Sequence, residues 1–180
     1  MFQSALNRLY NNEKYDDIID SMDKLYSNKA RSLIKNANKF TDIVSIDTPY
    51  MIDLGFDIPI KIVPDLLTNN EIVENKLTGG YYNEDMVSKQ MQGTLYFASV
   101  REILHKDLPV IYQIFNHKNM TVNAIRLEKT DGDVQLLSDW IRSTLSSIRK
   151  CFDSKSWYTN EHTKFGCNMG LSCPVLNSVG

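Results

Sequence analysis

The sequence predicts an α/β fold in which a mixed β-sheet is flanked by helices, and two observations carry that prediction. Periodic segments follow one another in the order helices, strands, helix, strands, helix along the 180 residues. Hydrophobic residues make up 42% of the chain, which is enough for one domain with a substantial core. We expect a single domain over 1–180, with a helical N-terminal part at 1–55, a core at 56–153 and an irregular tail at 154–180.

Apolar spacing predicts the N-terminal elements. Across 14–40, apolar residues recur every three or four positions, which is typical of helices that bury one face. Residues 42–53 are expected to be extended. Pro49 interrupts this segment, because proline cannot donate a hydrogen bond to a strand ladder.

A β-hairpin is predicted next. Residues 57–67, DIPIKIVPDLL, alternate in polarity and are rich in β-branched residues, so they predict a strand. The segment 68–70, TNN, is a turn signal. Residues 71–77, EIVENKL, are expected to return as the partner strand.

The pattern then changes back to helical spacing. A helix is predicted over 83–104, with Asn83 as its N-cap. Two further strands are predicted at 109–116 and 120–128, joined by a short polar turn. Residues 133–152 predict an amphipathic helix with one apolar stripe.

The charge of the chain is nearly balanced but unevenly distributed. The net charge is −2. Residues 1–90 contain 10 Lys and Arg against 14 Asp and Glu, which gives −4, and residues 91–180 contain 10 against 8, which gives +2. The positive half is compatible with an anionic partner and equally with a random spread of surface charge.

No segment is typical of a membrane or secreted protein. A bilayer span needs about 20 consecutive apolar residues, and no run in the sequence approaches that length. The first residues, MFQSALNRLYNNEK, lack the basic start and apolar stretch of a signal peptide. We therefore expect an intracellular protein with no membrane partner.

Three charged side chains in the hairpin form the sharpest chemical signal. Asp65 closes the first strand, and Glu74 and Lys76 lie two residues apart on the second, so these two share a face. A short hairpin can bring Asp65 beside them. Magnesium takes carboxylate oxygens as ligands and polarises a phosphate, and a nearby ammonium stabilises developing negative charge. The set therefore favours phosphodiester hydrolysis, although a Glu-x-Lys on the solvent face of a strand is also common.

The hairpin matches a known pattern. Pro64-Asp65, followed by Glu74-Asn75-Lys76 across a strand–turn–strand, resembles the PD-(D/E)XK nuclease superfamily. That resemblance implies a restriction-endonuclease-like fold, with a mixed central sheet flanked by helices. It also implies that Asp65, Glu74 and the carbonyl of Asn75 bind Mg or Mn. Lys76 would position the nucleophilic water.

The helix after the hairpin extends the resemblance. Its segment 92–96, QGTLY, is similar to the Gln-x-x-x-Tyr motif of the RecB-like branch, which includes CRISPR-associated RecB-like exonucleases and many phage exonucleases. The resemblance implies that Gln92 and Tyr96, which share a helix face, contact the nucleic acid near the scissile phosphate, the tyrosine by stacking. Gln90 is a rival for Gln92. An ordinary amphipathic helix with Tyr96 half buried is the alternative interpretation.

The ligand set that the resemblance implies is incomplete in this sequence. Many RecB-like nucleases add an upstream histidine or glutamate to the metal site, whereas all three histidines here lie downstream of the hairpin. The fourth ligand therefore stays open. The upstream acidic candidates are Glu13, Asp16, Asp17 and Asp20.

An iron–sulfur cluster is not expected. RecB-like nucleases that hold such a cluster use four cysteines, and this chain has three, at Cys151, Cys167 and Cys173. An odd number of cysteines in an intracellular chain also argues against a disulfide framework. A structural role for these cysteines is expected instead.

Together these features predict a metal-dependent deoxyribonuclease, with DNA ends or single strands as its partner in replication, recombination or repair. The Gln-x-x-x-Tyr helix favours an exonuclease. The alternatives are a structure-specific endonuclease, an RNA nuclease, or a catalytically silent nucleic-acid-binding or assembly protein with the same fold. A protein partner or homo-oligomer stays open. The many Asn, Lys, Ile and Tyr residues hint at an AT-rich coding sequence, as in viruses or phages.

Overall fold

A five-stranded mixed sheet forms the centre of the structure, a computed structural model that describes residues 1–56 and 58–155. The helices are α1 Phe2–Tyr10, α2 Asp16–Asp20, α3 Lys24–Lys35, α4 Glu84–Ser88, α5 Met91–Leu104 and α6 Asp131–Ser154. The strands are β1 Ile43–Ile46, β2 Tyr50–Ile52, β3 Ile60–Ile62, β4 Leu66–Thr68, β5 Ile72–Thr78, β6 Val110–Asn116 and β7 Thr121–Leu127.

The strands of the sheet run in the order β1-β4-β5-β6-β7. Neighbours pair antiparallel except β5 and β6, which pair parallel. Parallel neighbours need a long crossover, and α4 and α5 supply it between these two strands. Strands β2 and β3 form a separate antiparallel pair. The predicted α/β class, with a mixed sheet and flanking helices, is confirmed.

Each face of the sheet is covered by its own apolar core. Alternation along β5 sends Ile72 to the face covered by α5 and Val73 to the opposite face, which is covered by α1 to α3. Both residues are fully buried. The middle of β5 is therefore enclosed by helices on both sides, and polar side chains in this strand must find partners there.

The chain divides into two compact units, 1–137 and 138–180. The first holds both sheets and α1 to α5. In the second, the described residues 138–155 continue α6 and end in a turn. Cys151 is buried in this helix and is a free thiol, whereas Cys167 and Cys173 lie outside the described residues. The single domain over 1–180 stays a prediction. No helix in the described part of the chain is long and apolar enough to cross a membrane.

Three predicted elements are corrected by the structure. The helix over 14–40 is two helices, because Asp23 caps α3 by accepting a hydrogen bond from the Leu25 N–H at 2.9 Å. The strand over 57–67 is two strands in different sheets, separated by residues 63–65. The helix over 83–104 breaks at residues 89–90.

Other predictions hold within a few residues. The extended segment at 42–53 contains β1 and β2, and the turn at 68–70 joins β4 to β5. Asn83 caps α4, accepting a hydrogen bond from the Met86 N–H at 2.9 Å. The helix α1 falls within the helical N-terminal part predicted at 1–55, although no separate helix was predicted there.

Candidate active site

Strand β5 presents Glu74 and Lys76 on the face covered by α5. They pair with Tyr112 and Ile114 across the parallel ladder, and they share the face of Ile72 because side chains alternate. The Lys76 ammonium lies 2.6 Å from Glu74 Oε1, and the two side chains are 25% and 8% exposed. A largely buried ion pair therefore stands at the predicted position.

Asp65 lies beside this pair, at the start of β4. The β4–β5 ladder pairs Leu66 with Val73, so the next position brings Asp65 opposite Glu74. The Asn75 N–H donates a hydrogen bond to Asp65 Oδ2 at 2.6 Å. The hairpin thus brings the three predicted residues together, although Asp65 precedes β4 instead of closing the strand before it.

Helix α5 completes the cluster with Gln92. Its Oε1 accepts a hydrogen bond from Lys76 Nζ at 2.8 Å, and its Nε2 donates to Glu74 Oε1 at 3.0 Å and to the Tyr96 hydroxyl at 2.8 Å. The Tyr96 hydroxyl donates in turn to the Val63 carbonyl at 2.9 Å. Gln92 therefore links the helix to both charged residues of β5.

The placement of Tyr96 differs from the expectation that its ring stacks on a base, whereas the choice between Gln92 and its rival Gln90 falls to Gln92 at the cluster. Tyr96 is only 5% exposed and its ring belongs to the apolar core, so no ring face is free to stack on a base. Its hydroxyl instead holds Gln92 and the chain before Asp65. Gln90 is the N-cap residue of α5, and it is Gln92 whose side chain reaches the cluster.

The main-chain N–H and C=O groups of Asn75 point to the edge of β5 on the side of β4, beyond the two residues with which β4 pairs. The Ile72 N–H and the Thr78 carbonyl both bond toward β6, to the Pro109 carbonyl and the His117 N–H, at 2.9 Å each. Main-chain groups alternate between the two edges of a strand, so those of Asn75 point the other way, toward Asp65. Among the described residues, β4 pairs with this edge only at Ile72 and Val73. The Asn75 carbonyl is thus on the same edge as Asp65.

The oxygen atoms of this site fit a hard divalent cation. Glu74 Oε2 is buried and has no hydrogen-bond partner among the described residues. A buried carboxylate oxygen without a partner is costly unless a cation or proton compensates it. The described residues contain no group of three or more His, Cys, Asp or Glu that could hold a metal ion. Two carboxylates and one carbonyl, with water and phosphate as further ligands, suit magnesium.

The electrostatics of the cluster raise the pKa of one of its carboxyl groups, that of Asp65. Burial raises the pKa of Asp65 to about 7, with the negative charge of Glu74 as the next cause. The hydrogen bond from the Asn75 N–H and the Lys76 charge oppose that rise only in part. Without a cation, Asp65 thus holds a proton below about pH 7, which a bound cation would displace.

One acidic neighbour of Asp65 was missed in the sequence. Asp47 follows β1 with a left-handed backbone, φ 50°, and its N–H donates to the Asp65 carbonyl at 3.1 Å. Its carboxylate accepts a hydrogen bond from Asn7 at 2.6 Å, and its charge contributes to the raised pKa of Asp65. The only available signal was the turn-forming Asp-Thr-Pro after a strand.

The four upstream acids that were candidate ligands are not part of the cluster. Three of them form exposed ion pairs: Asp16 and Asp20 bond to Arg31, and Asp17 bonds to Arg8. Glu13 is exposed. The fourth ligand was left open, and the carboxylates of the three paired residues already have surface partners.

Tyr112 lies beneath the start of α5. It pairs with Glu74 across β5 and β6, and burial raises the pKa of its phenol to about 12. Its hydroxyl lies near Gly93 but has no hydrogen-bond partner within the described part of the chain. A Cβ atom at Gly93 would lie 2.7 Å from that hydroxyl, so glycine lets the helix approach the sheet this closely.

Comparison with known proteins identifies the fold. The sequence matches no protein-family model and no curated protein. The structure is similar to the crystal structure of a candidate exonuclease from Eubacterium rectale, with a TM-score of 0.62 and 14% sequence identity. The match covers 87% of this chain and 68% of the other. At this level of identity the likeness establishes a shared fold: a mixed five-stranded sheet with flanking helices, as in that exonuclease.

Proposed function

We propose that this protein is a Mg- or Mn-dependent nuclease of the PD-(D/E)XK superfamily, in its RecB-like branch, and that it hydrolyses DNA from ends or single strands. The observation that carries the proposal is the convergence of Asp65, Glu74, Lys76 and Gln92 on one face of the sheet, with one buried carboxylate oxygen unpartnered. The fold shared with a candidate exonuclease supports it.

Each residue of the cluster has a separate proposed role in hydrolysis. Asp65, Glu74 and the Asn75 carbonyl would hold the cation, which supplies polarisation of the scissile phosphate. Water attacks the phosphorus, the P–O bond to the leaving nucleotide breaks, and the leaving oxygen takes up a proton. Lys76 orients the attacking water and stabilises the negative charge that develops on the phosphate.

Gln92 is proposed to contact the substrate strand. It is half-buried, and both of its amide hydrogens are already donated, to Glu74 and to Tyr96, so it would hold a phosphate only by giving up one of these bonds. Gln90, half-buried at the start of α5, is a second candidate contact. Tyr96 would act indirectly, by fixing the Gln92 side chain through its hydroxyl.

The proposal is tested by digestion of five labelled substrates. These are linear single-stranded DNA with a 5′ label, the same with a 3′ label, blunt duplex DNA, closed circular single-stranded DNA, and RNA. We expect stepwise degradation of linear DNA with Mg or Mn, none with EDTA, and resistance of the circle. Cleavage of the circle would indicate an endonuclease, and cleavage of RNA alone an RNA nuclease.

A catalytically silent protein would bind DNA and cleave none of these substrates. Two variants separate a trace contaminant from the protein's own activity. Asp65→Ala should be inactive. Asp85→Ala, which removes an exposed carboxylate paired only with Lys89, should retain wild-type cleavage.

A further inference from the structure

A second polar cluster lies behind β5, on the face opposite Glu74 and Lys76. It joins three residues that are distant in sequence: Tyr10 from α1, Asn75 from β5 and Gln113 from β6. Tyr10 is 5% exposed and Gln113 is fully buried. The surrounding core on this face is apolar, so these polar groups lie where aliphatic side chains would ordinarily pack.

The hydrogen bonds of this cluster close a triangle. The Tyr10 hydroxyl donates to Asn75 Oδ1 at 3.0 Å, and Gln113 Nε2 donates to the same oxygen and to the Tyr10 hydroxyl, each at 2.9 Å. The main-chain N–H of Asn38 donates to Gln113 Oε1. Because a main-chain N–H can only donate, it fixes which end of the Gln113 amide faces Tyr10 and Asn75.

Stability alone does not account for this cluster. Burying polar groups is unfavourable unless every group is paired, and Asn75 Nδ2 has no partner among the described residues. Desolvation raises the pKa of Tyr10. What the triangle does accomplish is to fix the Asn75 side chain on one face of the strand.

Asn75 is thereby held from two directions. Its side chain is fixed by Tyr10 and Gln113, and its N–H is fixed at the open edge of β5 by Asp65 at 2.6 Å. We infer that Tyr10 and Gln113 are positioning residues that set the direction of the Asn75 carbonyl toward the cation. This inference rests on the proposed function. Neighbours that orient a metal ligand typically change metal affinity by about 10–100-fold when removed.

The experiment measures Mn²⁺ affinity by calorimetry without DNA, on the full chain. Tyr10→Phe removes one hydroxyl and keeps the ring, and Gln113→Met removes the amide at similar volume. We expect each to weaken Mn²⁺ binding by about 10–100-fold. The Mn²⁺ concentration for half-maximal cleavage should rise by the same factor, with the rate recovered at saturating Mn²⁺.

Two control variants separate positioning from loss of packing. Tyr50→Phe removes a hydroxyl that is bonded to Ser45 at 2.7 Å and takes no part in the triangle. Phe40→Leu removes the aromatic ring that packs edge-on against Tyr10 but leaves the Tyr10 hydroxyl in place. Both should bind Mn²⁺ as the wild type does, even where the melting temperature falls.

The outcomes distinguish this inference from the proposed function. If the wild type binds Mn²⁺ through Asp65 and Tyr10→Phe binds it equally well, the positioning role is overturned and the nuclease proposal stands. If Gln113→Met fails to fold, Tyr10→Phe still decides the matter. If Asp65→Ala and the wild type show the same Mn²⁺ binding, the metal site fails and the inference falls with it.

Discussion

The Gln92 side-chain oxygen accepts a hydrogen bond from the Lys76 ammonium at 2.8 Å, which joins the first turn of α5 to the middle of β5. The Gln92 amide nitrogen donates to Glu74, which also pairs with Lys76. The three side chains thus form one unit, in which each fixes the other two. The hairpin motif on β5 and the glutamine motif on α5 therefore form a single site.

Replacing Lys76 by methionine should reduce catalysis more than binding. The ammonium has its proposed effect in the transition state, and loss of one such donor lowers the rate by about 10²–10³-fold. Single-turnover cleavage measures the rate, and fluorescence anisotropy with labelled DNA in Ca²⁺ measures binding. An unchanged rate with weakened binding would make Lys76 a phosphate contact only.

Replacing Gln92 by alanine should weaken cleavage more than it weakens Mn²⁺ affinity, measured by calorimetry, because Gln92 bonds to Lys76 as well as to Glu74. An amide is a poor ligand beside carboxylates but a good donor to phosphate. Tyr96→Phe should have the same effect in weaker form, since it removes one hydrogen bond to Gln92 and one to the Val63 carbonyl. Gln90→Ala should reduce cleavage less than Gln92→Ala, because only the Gln92 side chain bonds to Lys76 and Glu74; a larger loss at Gln90 would contradict the geometry.

Cation binding should depend on pH through Asp65. Its pKa of about 7 means that the folded, cation-free protein holds a proton below neutral pH that a cation must displace. Mn²⁺ affinity should therefore rise from pH 6 to about pH 7 and then level off. Calorimetry in two buffers of different ionisation enthalpy counts the released proton.

The raised pKa of Asp65 also makes the stability of the cation-free fold depend on pH, in the direction opposite to that of Mn²⁺ affinity. The ordinary pKa of 3.8 is raised on folding, so the cation-free protein gains a proton that the unfolded chain lacks between these pH values. Its free energy of unfolding should thus fall as pH rises from about 4 to about 7. Asp65→Asn should lose both pH dependences; an unaltered pH profile in that variant would exclude Asp65 as their source.

Gly93→Ala should destabilise the protein although alanine favours helices by about 1 kcal/mol. The new methyl group would meet the Tyr112 hydroxyl at 2.7 Å inside the core. Tyr112→Phe should recover part of the loss, with a coupling energy of about 0.5–3 kcal/mol in urea unfolding. Gly132→Ala, where the nearest atom is at 3.5 Å, should be neutral or stabilising. Additive effects of the first two changes would refute the contact.

The sequence predicted those parts of the site that local patterns encode. Alternation and a turn signal placed Glu74 and Lys76 on one face, and helical spacing placed Gln92 after them. Asp65 was identified from the resemblance of the hairpin to the PD-(D/E)XK pattern, and it lies ten residues from the N–H that it binds, across one short turn.

The parts that were missed depend on contacts between distant segments. Tyr10 reaches Asn75 across 65 positions, and Gln113 reaches it across 38, so no local pattern marks either as part of the site. The burial of Tyr96 follows from how α5 packs on the sheet, which helical spacing alone does not specify. Asp47 was missed because the sequence around a turn residue does not indicate which distant side chains lie near it.

Single-turnover cleavage of end-labelled single-stranded DNA in Mg²⁺ tests the central claim most directly. The variants are Asp65→Asn and Glu74→Gln, which remove a negative charge at nearly constant shape, and Asp85→Asn is the exposed control. Circular dichroism confirms that each is folded. We predict that both site variants fall to the uncatalysed background and that the control cuts at the wild-type rate. Wild-type rates in folded Asp65→Asn and Glu74→Gln would contradict the assignment of this cluster as the active site.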